Sequence, residues 1–226
     1  MAVRFQGVHV PQEIMRTCVR WYVAYPLRTP HVEALMRERG VPIDHATVNR
    51  WVVTYRPPRE EALPRRKQPV WLSWRMEETS LQGTGEWRDR DRAVEKMGQT
   101  IDFLRTEPRD EQAATCFLTK AIRRHGVPET ITIDGSAANE AAITRDNEEY
   151  GTAIDIRQIK YLHTMVEQDH RGVKRITHPM LGFTSFDAAQ STLVGIELMH
   201  MLRKRQLDDG VEQGLTAAEQ FSALAA

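Results

Sequence analysis

The chain has 226 residues, of which 41% are apolar and 27% charged, with 31 Lys/Arg matched by 31 Asp/Glu. That suits one large domain, or a small domain joined to one of about 150 residues. No apolar run reaches the length of a membrane span, no signal-peptide pattern opens the chain, and Cys18 and Cys116 form no metal or redox spacing, so a reduced cytoplasmic protein is expected.

In the N-terminal third, residues 11–25 read as a helix opened by Pro11, with Ile14, Cys18, Trp21, Tyr22 and Tyr25 as its apolar face. Thr29-Pro30 starts a second helix by cap and first-turn proline; it buries Val32, Leu35 and Met36 and stops at Gly40. Asp44 caps a third helix from His45 to Tyr55, packed through Val48, Trp51, Val52 and Tyr55. This leaves His45, Thr47, Asn49, Arg50 and Thr54 off the packed face, where such side chains can reach bases or phosphates. Three helices with a glycine turn before the last predict a helix-turn-helix domain over residues 1–56; a small bundle used for protein contacts fits the same pattern. Charge favours DNA. Residues 1–67 carry twelve Lys/Arg against six Asp/Glu, a balance of +6 that the remainder cancels. Residues 57–69, with Pro57, Pro58, Pro64 and Pro69 among Arg65, Arg66 and Lys67, read as a basic, semi-rigid linker.

Over residues 70–226 strand and helix patterns alternate. Strands are predicted over Val70 to Met76, ending at Glu77-Glu78-Thr79, then over Gln99 to Leu104, Glu129 to Ile133 and Ile154 to Ile159. Helices are predicted over Asp110 to His125, Ala137 to Tyr150, Val166 to Arg175 and Ser185 to Arg205, the first striped by Ala113, Ala114, Phe117, Leu118, Ala121 and Ile122. Alternation of this kind implies an α/β sheet with its site at the strand ends. Glu77 after the first strand, Asp134 after a later one and Glu167 on a helix then converge in principle on one edge. Such a trio could hold two divalent cations, with Mg²⁺ suited to carboxylates and phosphate oxygens. At helical spacing Glu167 shares a face with His170, Arg171 and Lys174, either as a solvated row of ion pairs or as a carboxylate beside cations that grip a polyanion.

Trp74-Arg75-Met76-Glu77-Glu78-Thr79, Ile131-Thr132-Ile133-Asp134, and Ile156 to Leu162 followed by Val166-Glu167-Gln168-Asp169-His170 resemble a DDE transposase of bacterial insertion sequences, of the insertion-sequence-six family. Met180 to Phe186, Gly195 to Met201, Phe5-Gln6-Gly7 and Asp44 to Trp51 are similar to that family too. The resemblance implies an RNase H-like, integrase-type catalytic domain preceded by an all-α helix-turn-helix domain. It implies metal-binding, catalytic acids at Glu77, Asp134 and Glu167, using Mg²⁺ or Mn²⁺ as two ions, with His170, Arg171, Lys174 and Arg175 on the DNA-facing side. His45, Thr47, Asn49 and Arg50 would read the element's terminal inverted repeats. The implied partners are double-stranded DNA, both terminal repeats and target, and further copies of the chain on paired ends, with no membrane. The implied reaction is strand cleavage and strand transfer in replicative, cointegrate-type transposition, in a bacterial cytoplasm at the nucleoid.

The chain departs from the family at the first acid, an aspartate there and Glu77 here, which sets the carboxylate one methylene, about 1.5 Å, farther out. Trp87-Arg88-Asp89-Arg90-Asp91-Arg92 stands where the family has an apolar strand, and period-two alternation sends Arg88, Arg90 and Arg92 to one face. Such charges are costly to bury unpaired inside a sheet. Gly135 replaces a lysine, and His163-Thr164 an asparagine pair. These departures predict impaired cleavage; the alternative is a catalytically silent DNA-binding protein of transposase descent.

Overall fold

The computed structural model describes residues 10–54, 71–83, 86–95, 99–105, 111–159, 172–180, 183, 185–207 and 214–224, with the backbone alone for 77–83, 86–92, 103–105 and 186. The chain packs as two compact units, one of Gln68–Gly172 and one that joins Met1–Lys67 to Val173–Ala226.

The first unit, Met1–Lys67 with Val173–Ala226, contains α1 (Gln12–Ala24), α2 (Thr29–Glu38) and α3 (His45–Thr54), all but the first residue of the helical stretch 172–177 (α6), α7 (Phe186–Arg203) and α8 (Ala217–Leu224). Helix α1 buries Met15, Cys18, Val19, Tyr22, Val23 and Ala24. That is a wider face than the sequence suggested: Ile14 and Trp21 are only half-buried and Tyr25 is exposed. The reason is that α1 packs against α2, α3, α7 and α8 together, so one apolar stripe does not suffice. Helix α7 approaches α1 closely at Gly195, where an added Cβ would lie 2.7 Å from Val23 Cγ1. At its end Arg203 donates to the Ala24 carbonyl at 2.9 Å, satisfying a carbonyl that the end of α1 leaves free.

The second unit holds a five-stranded sheet: β1 (Ser73–Gly83), β2 (Glu86–Glu95), β3 (Thr100–Arg105), β4 (Thr130–Ile133) and β5 (Asp155–Gln158), with α4 (Glu111–His125) before β4 and α5 (Ala137–Tyr150) before β5. Its order is β3-β2-β1-β4-β5. The first three strands form an antiparallel meander, while β4 runs parallel to β1 and β5 parallel to β4. Each parallel step needs a crossover, which α4 and α5 supply. This is the RNase H-like arrangement.

Trp74, Met76, Ile131 and Ile133 pack with Phe117, Leu118, Ala142 and Ile143 in one core between sheet and helices. Asp102 on β3, 6% exposed, holds α4 through Lys120 at 3.5 Å and Arg124 at 3.2 Å. Ser136 caps α5 and Gly151 ends it in the left-handed region at φ +66°. The Asn147 side chain then takes both backbone groups of Ile154, at 2.9 and 3.0 Å, and so aims the chain into β5.

Two local expectations are corrected, the end of the first strand and the cap of α2, and the place of the charged run is settled. The first strand does not end near Glu77 but continues to Gly83, because its ladder with β2 extends to Gly83 opposite Glu86. The charged run 88–92 belongs to β2, an interior strand of the sheet. Its register sets Arg92 opposite Glu77, a cross-strand position that suits opposite charges, although Asp91 faces Glu78. At α2 the cap position is Arg28 and Thr29 is already helical; the Arg28 N–H donates to His31 Nδ1 at 3.3 Å.

Candidate active site and nucleic-acid interface

In the second unit, Trp74 lies opposite Ile131 and Arg75 opposite Thr132, a constant offset of 57 residues between parallel strands. The ladder ends at Arg75 opposite Thr132, so Glu77 and Asp134 each stand two residues past its last pair. Adjacent strands run about 4.8 Å apart. The two sequence-identified acids of this unit whose backbone is described thus both follow the same end of the β1–β4 ladder. Asp134 follows β4 directly and is exposed. It is succeeded by Gly135 at φ +90°, a conformation that suits glycine, and by the Ser136 cap. A carboxylate at the carboxyl end of a parallel strand, beside a helix N-terminus, occupies the position where open α/β sheets bind ligands.

Glu167, His170 and Arg171 lie outside the described residues. Among the described residues no three His, Cys, Asp or Glu side chains converge as a metal site. Lys174 and Arg175 are both exposed on α6, with Val173 and Ile176 buried on either side of them in the chain.

In the first unit the α2–α3 pair presents the other candidate surface. Val48, Trp51 and Val52 are buried, leaving His45, Arg50 and Thr54 exposed and Thr47 and Asn49 half-buried. Asp44 accepts from the Thr47 backbone at 2.7 Å and from its hydroxyl at 3.1 Å, so the expected cap is present. The Thr47 backbone bond, first among the causes, holds the Asp44 carboxyl below its ordinary range. Arg50 reaches Thr47 Oγ1 only at 3.4 Å, a weak tether for an exposed guanidinium.

Sequence reasoning missed two contributors here. Glu33, on α2, accepts from both the backbone N–H and ring Nδ1 of His45 at 2.9 Å, and the ring bond leads the causes that lower its pKa. Arg39 stacks over Trp21 at 4.7 Å, closing the back of the same helical group. Both join residues of different helices, a relation no periodicity within one helix encodes.

A family model described as a DDE domain matches residues 71–206. A transposase for the insertion sequence-like element IS431mec from Staphylococcus aureus (strain N315) is 30% identical over 196 residues, 86% of either chain. The chain belongs to the insertion-sequence-six family of DDE transposases. A second S. aureus relative, the transposase for insertion sequence element IS257 in transposon Tn4003, is 29% identical over the same length and coverage. Among solved structures, the HTLV-2 integrase catalytic core domain in complex with magnesium (trimeric form) aligns with 69% of this chain and 99% of its own, at 12% identity and TM-score 0.48. The simian T-cell lymphotropic virus intasome, in complex with PP2A regulatory subunit B56 gamma, aligns at TM-score 0.43 and 11% identity, over 90% of this chain and 71% of its own. For this transposase the matched span starts just before β1 and runs to the end of α7. It therefore takes in residues of both compact units. Among the described residues no helix is long and apolar enough to cross a membrane.

Proposed function

We propose that the chain binds the terminal inverted repeats of its insertion sequence and catalyses metal-dependent strand cleavage and strand transfer. The reading is supported above all by the β1–β4 register, since Glu77 and Asp134 each stand two residues past its last pair, Arg75 opposite Thr132. Glu77, Asp134 and Glu167 would hold two Mg²⁺ or Mn²⁺ ions. An all-oxygen donor set suits these hard cations, and the exposed Asp134 leaves room for phosphate ligands. When bound, such ions activate a water or a 3′-hydroxyl and stabilise the leaving oxygen. The residues themselves orient the scissile phosphate. His170, Arg171, Lys174 and Arg175 grip the DNA backbone, while His45, Thr47, Asn49 and Arg50 enter the groove from α3.

The functional division follows the sequence: residues 1–56 read DNA, 57–69 link, and 70–226 catalyse. The chain acts as a homo-oligomer on paired ends, in the bacterial cytoplasm at the nucleoid, and its reaction is replicative and passes through a cointegrate. A second reading, a silent DNA-binding protein, is favoured by one observation: the first acid is glutamate, and misplacement of about 1 Å in a preorganised site can cost on the order of a hundredfold in rate.

The test uses the full-length protein and a duplex carrying its own terminal repeat. Gel retardation in EDTA should show binding that Arg50→Ala weakens. Nicking in Mg²⁺ should disappear in Asp134→Asn with binding retained. Unchanged binding by Arg50→Ala would remove α3 as the reader, and equal nicking by Asp134→Asn would remove the acid site.

A further inference from the structure

The half-buried Glu33 carboxylate ties α2 to the start of α3. Its Oε2 takes both the backbone N–H and the ring Nδ1 of His45, each at 2.9 Å, while Oε1 takes the Arg37 guanidinium one turn along α2. The ring bond leads the causes that hold the Glu33 carboxyl below its ordinary range, so at neutral pH it is ionised and can only accept. The proton of the ring bond therefore sits on Nδ1. Asp44, the neighbouring acid, is engaged by the backbone and hydroxyl of Thr47.

A neutral imidazole carries one N–H and one bare nitrogen. With the N–H held on Nδ1, the bare nitrogen is Nε2, on a side chain 60% exposed. Two bonds to one carboxylate oxygen hold both the ring and the backbone that carries it. That decides what the ring can recognise. A phosphate oxygen brings no proton to an accepting nitrogen, and the major-groove edge of guanine offers only the acceptors N7 and O6. The exocyclic amines, adenine N6 and cytosine N4, do bring a donor.

We propose that Glu33 is a positioning residue that makes His45 an accepting base reader, selective for the exocyclic amine of an adenine or cytosine in the major groove. The inference rests on the reading of α3 as the helix that enters the groove. His45 is the first residue of α3, and in a helix-turn-helix the N-terminal residues of that helix meet the base edges. Unassisted, an exposed imidazole can carry its proton on either nitrogen and so accept or donate. A carboxylate on the preceding helix removes that choice.

The test compares binding of the full-length protein to its own terminal-repeat duplex, in EDTA at pH 8, with binding to duplexes carrying N6-methyladenine or N4-methylcytosine at one position at a time. The methyl group takes the place of the amine hydrogen that faces the major groove and leaves base pairing intact. At one position it should weaken wild-type binding by about 2–10-fold, the loss of one neutral hydrogen bond. His45→Ala and Glu33→Leu should bind both duplexes alike, and Glu33→Gln, which keeps an accepting oxygen, should retain part of the difference. The ratio of affinities is read, so a variant of lower stability still reports; Glu33→Ala serves if the leucine variant does not fold. A methyl effect of wild-type size in His45→Ala overturns the role of the ring, and one of wild-type size in Glu33→Leu overturns that of the carboxylate. Weaker binding by His45→Ala without a methyl effect at any position assigns the ring to the backbone and also overturns the inference. In each case, weakened binding by Arg50→Ala leaves α3 standing as the reader. Binding indifferent to both His45→Ala and Arg50→Ala overturns that reading and this inference together.

Discussion

The Glu33 carboxylate receives two hydrogen bonds from His45, one from the first backbone N–H of α3 and one from its ring, both at 2.9 Å. One side chain of α2 thus caps α3 and holds its first residue in place. Because Nδ1 donates to the carboxylate it carries the proton, which leaves Nε2 of the exposed ring for an outside partner.

Glu33→Gln should lower the melting temperature and weaken duplex binding, since it replaces a charged acceptor by a neutral one. The pH dependence has a definite sign. Glu33 is held below its ordinary value of 4.5, chiefly by the His45 ring. Its contribution is complete above that value and is lost as pH falls through the lowered one. Melting curves between pH 5 and 3 should therefore fall less steeply for Glu33→Gln than for wild type, and parallel curves would contradict the bond.

Gly195→Ala brings two opposed effects. Alanine favours a helix over glycine by about 1 kcal/mol. Its Cβ, however, would sit 2.7 Å from Val23 Cγ1 and 3.2 Å from Val23 Cβ, on a branched side chain with little freedom to move. Overpacking of this kind costs about 1–3 kcal/mol. A net loss of stability is expected, and adding Val23→Ala should recover part of it through a coupling measurable in a double-mutant cycle. A more stable Gly195→Ala protein would mean that α1 and α7 can separate freely.

Glu77→Asp should raise Mg²⁺-dependent nicking on terminal-repeat DNA, by tenfold or more on the order-of-magnitude cost of about 1 Å of misplacement. Binding in EDTA should not change. No gain in nicking would locate the impairment elsewhere, with the charged strand β2 the first region to examine.

The two cysteines should differ as probes. Cys18 is fully buried in α1, and burial pushes its thiol up to about 11, whereas Cys116 is exposed. A disulfide-exchange reagent at pH 8 should label one thiol per native chain quickly and the second only on unfolding. Rapid labelling of both would show that α1 is not packed as described.

Much of the fold was readable from local pattern. The stripe from Ala113 to Ala121, the Ser136–Gly151 frame of α5 and the Asp44 cap of α3 are short-range signals, and each element stands where the sequence placed it within a residue or two. The strand end at Glu77 was misplaced because an antiparallel ladder is extended by its partner, whereas β2, too charged to read as a strand from its own pattern, stands where the family resemblance put the second strand. Of the candidate site, the place of Asp134 directly after a strand was legible, but where it stands relative to Glu77 depends on the register between strands 57 residues apart.

The sequence by itself determined the family, the order of helices and strands and the acidic and basic residues available for chemistry, because these are carried by identity and by spacing within one element. Only the tertiary structure decided that α7 packs with α1 and α3, that Glu33 secures His45, and that the Asn139 side chain is buried with its Nδ2 unpartnered. Those relations depend on close approach between segments distant in the chain. Packing and hydrogen-bond satisfaction select them, and no local periodicity records which partner will be met.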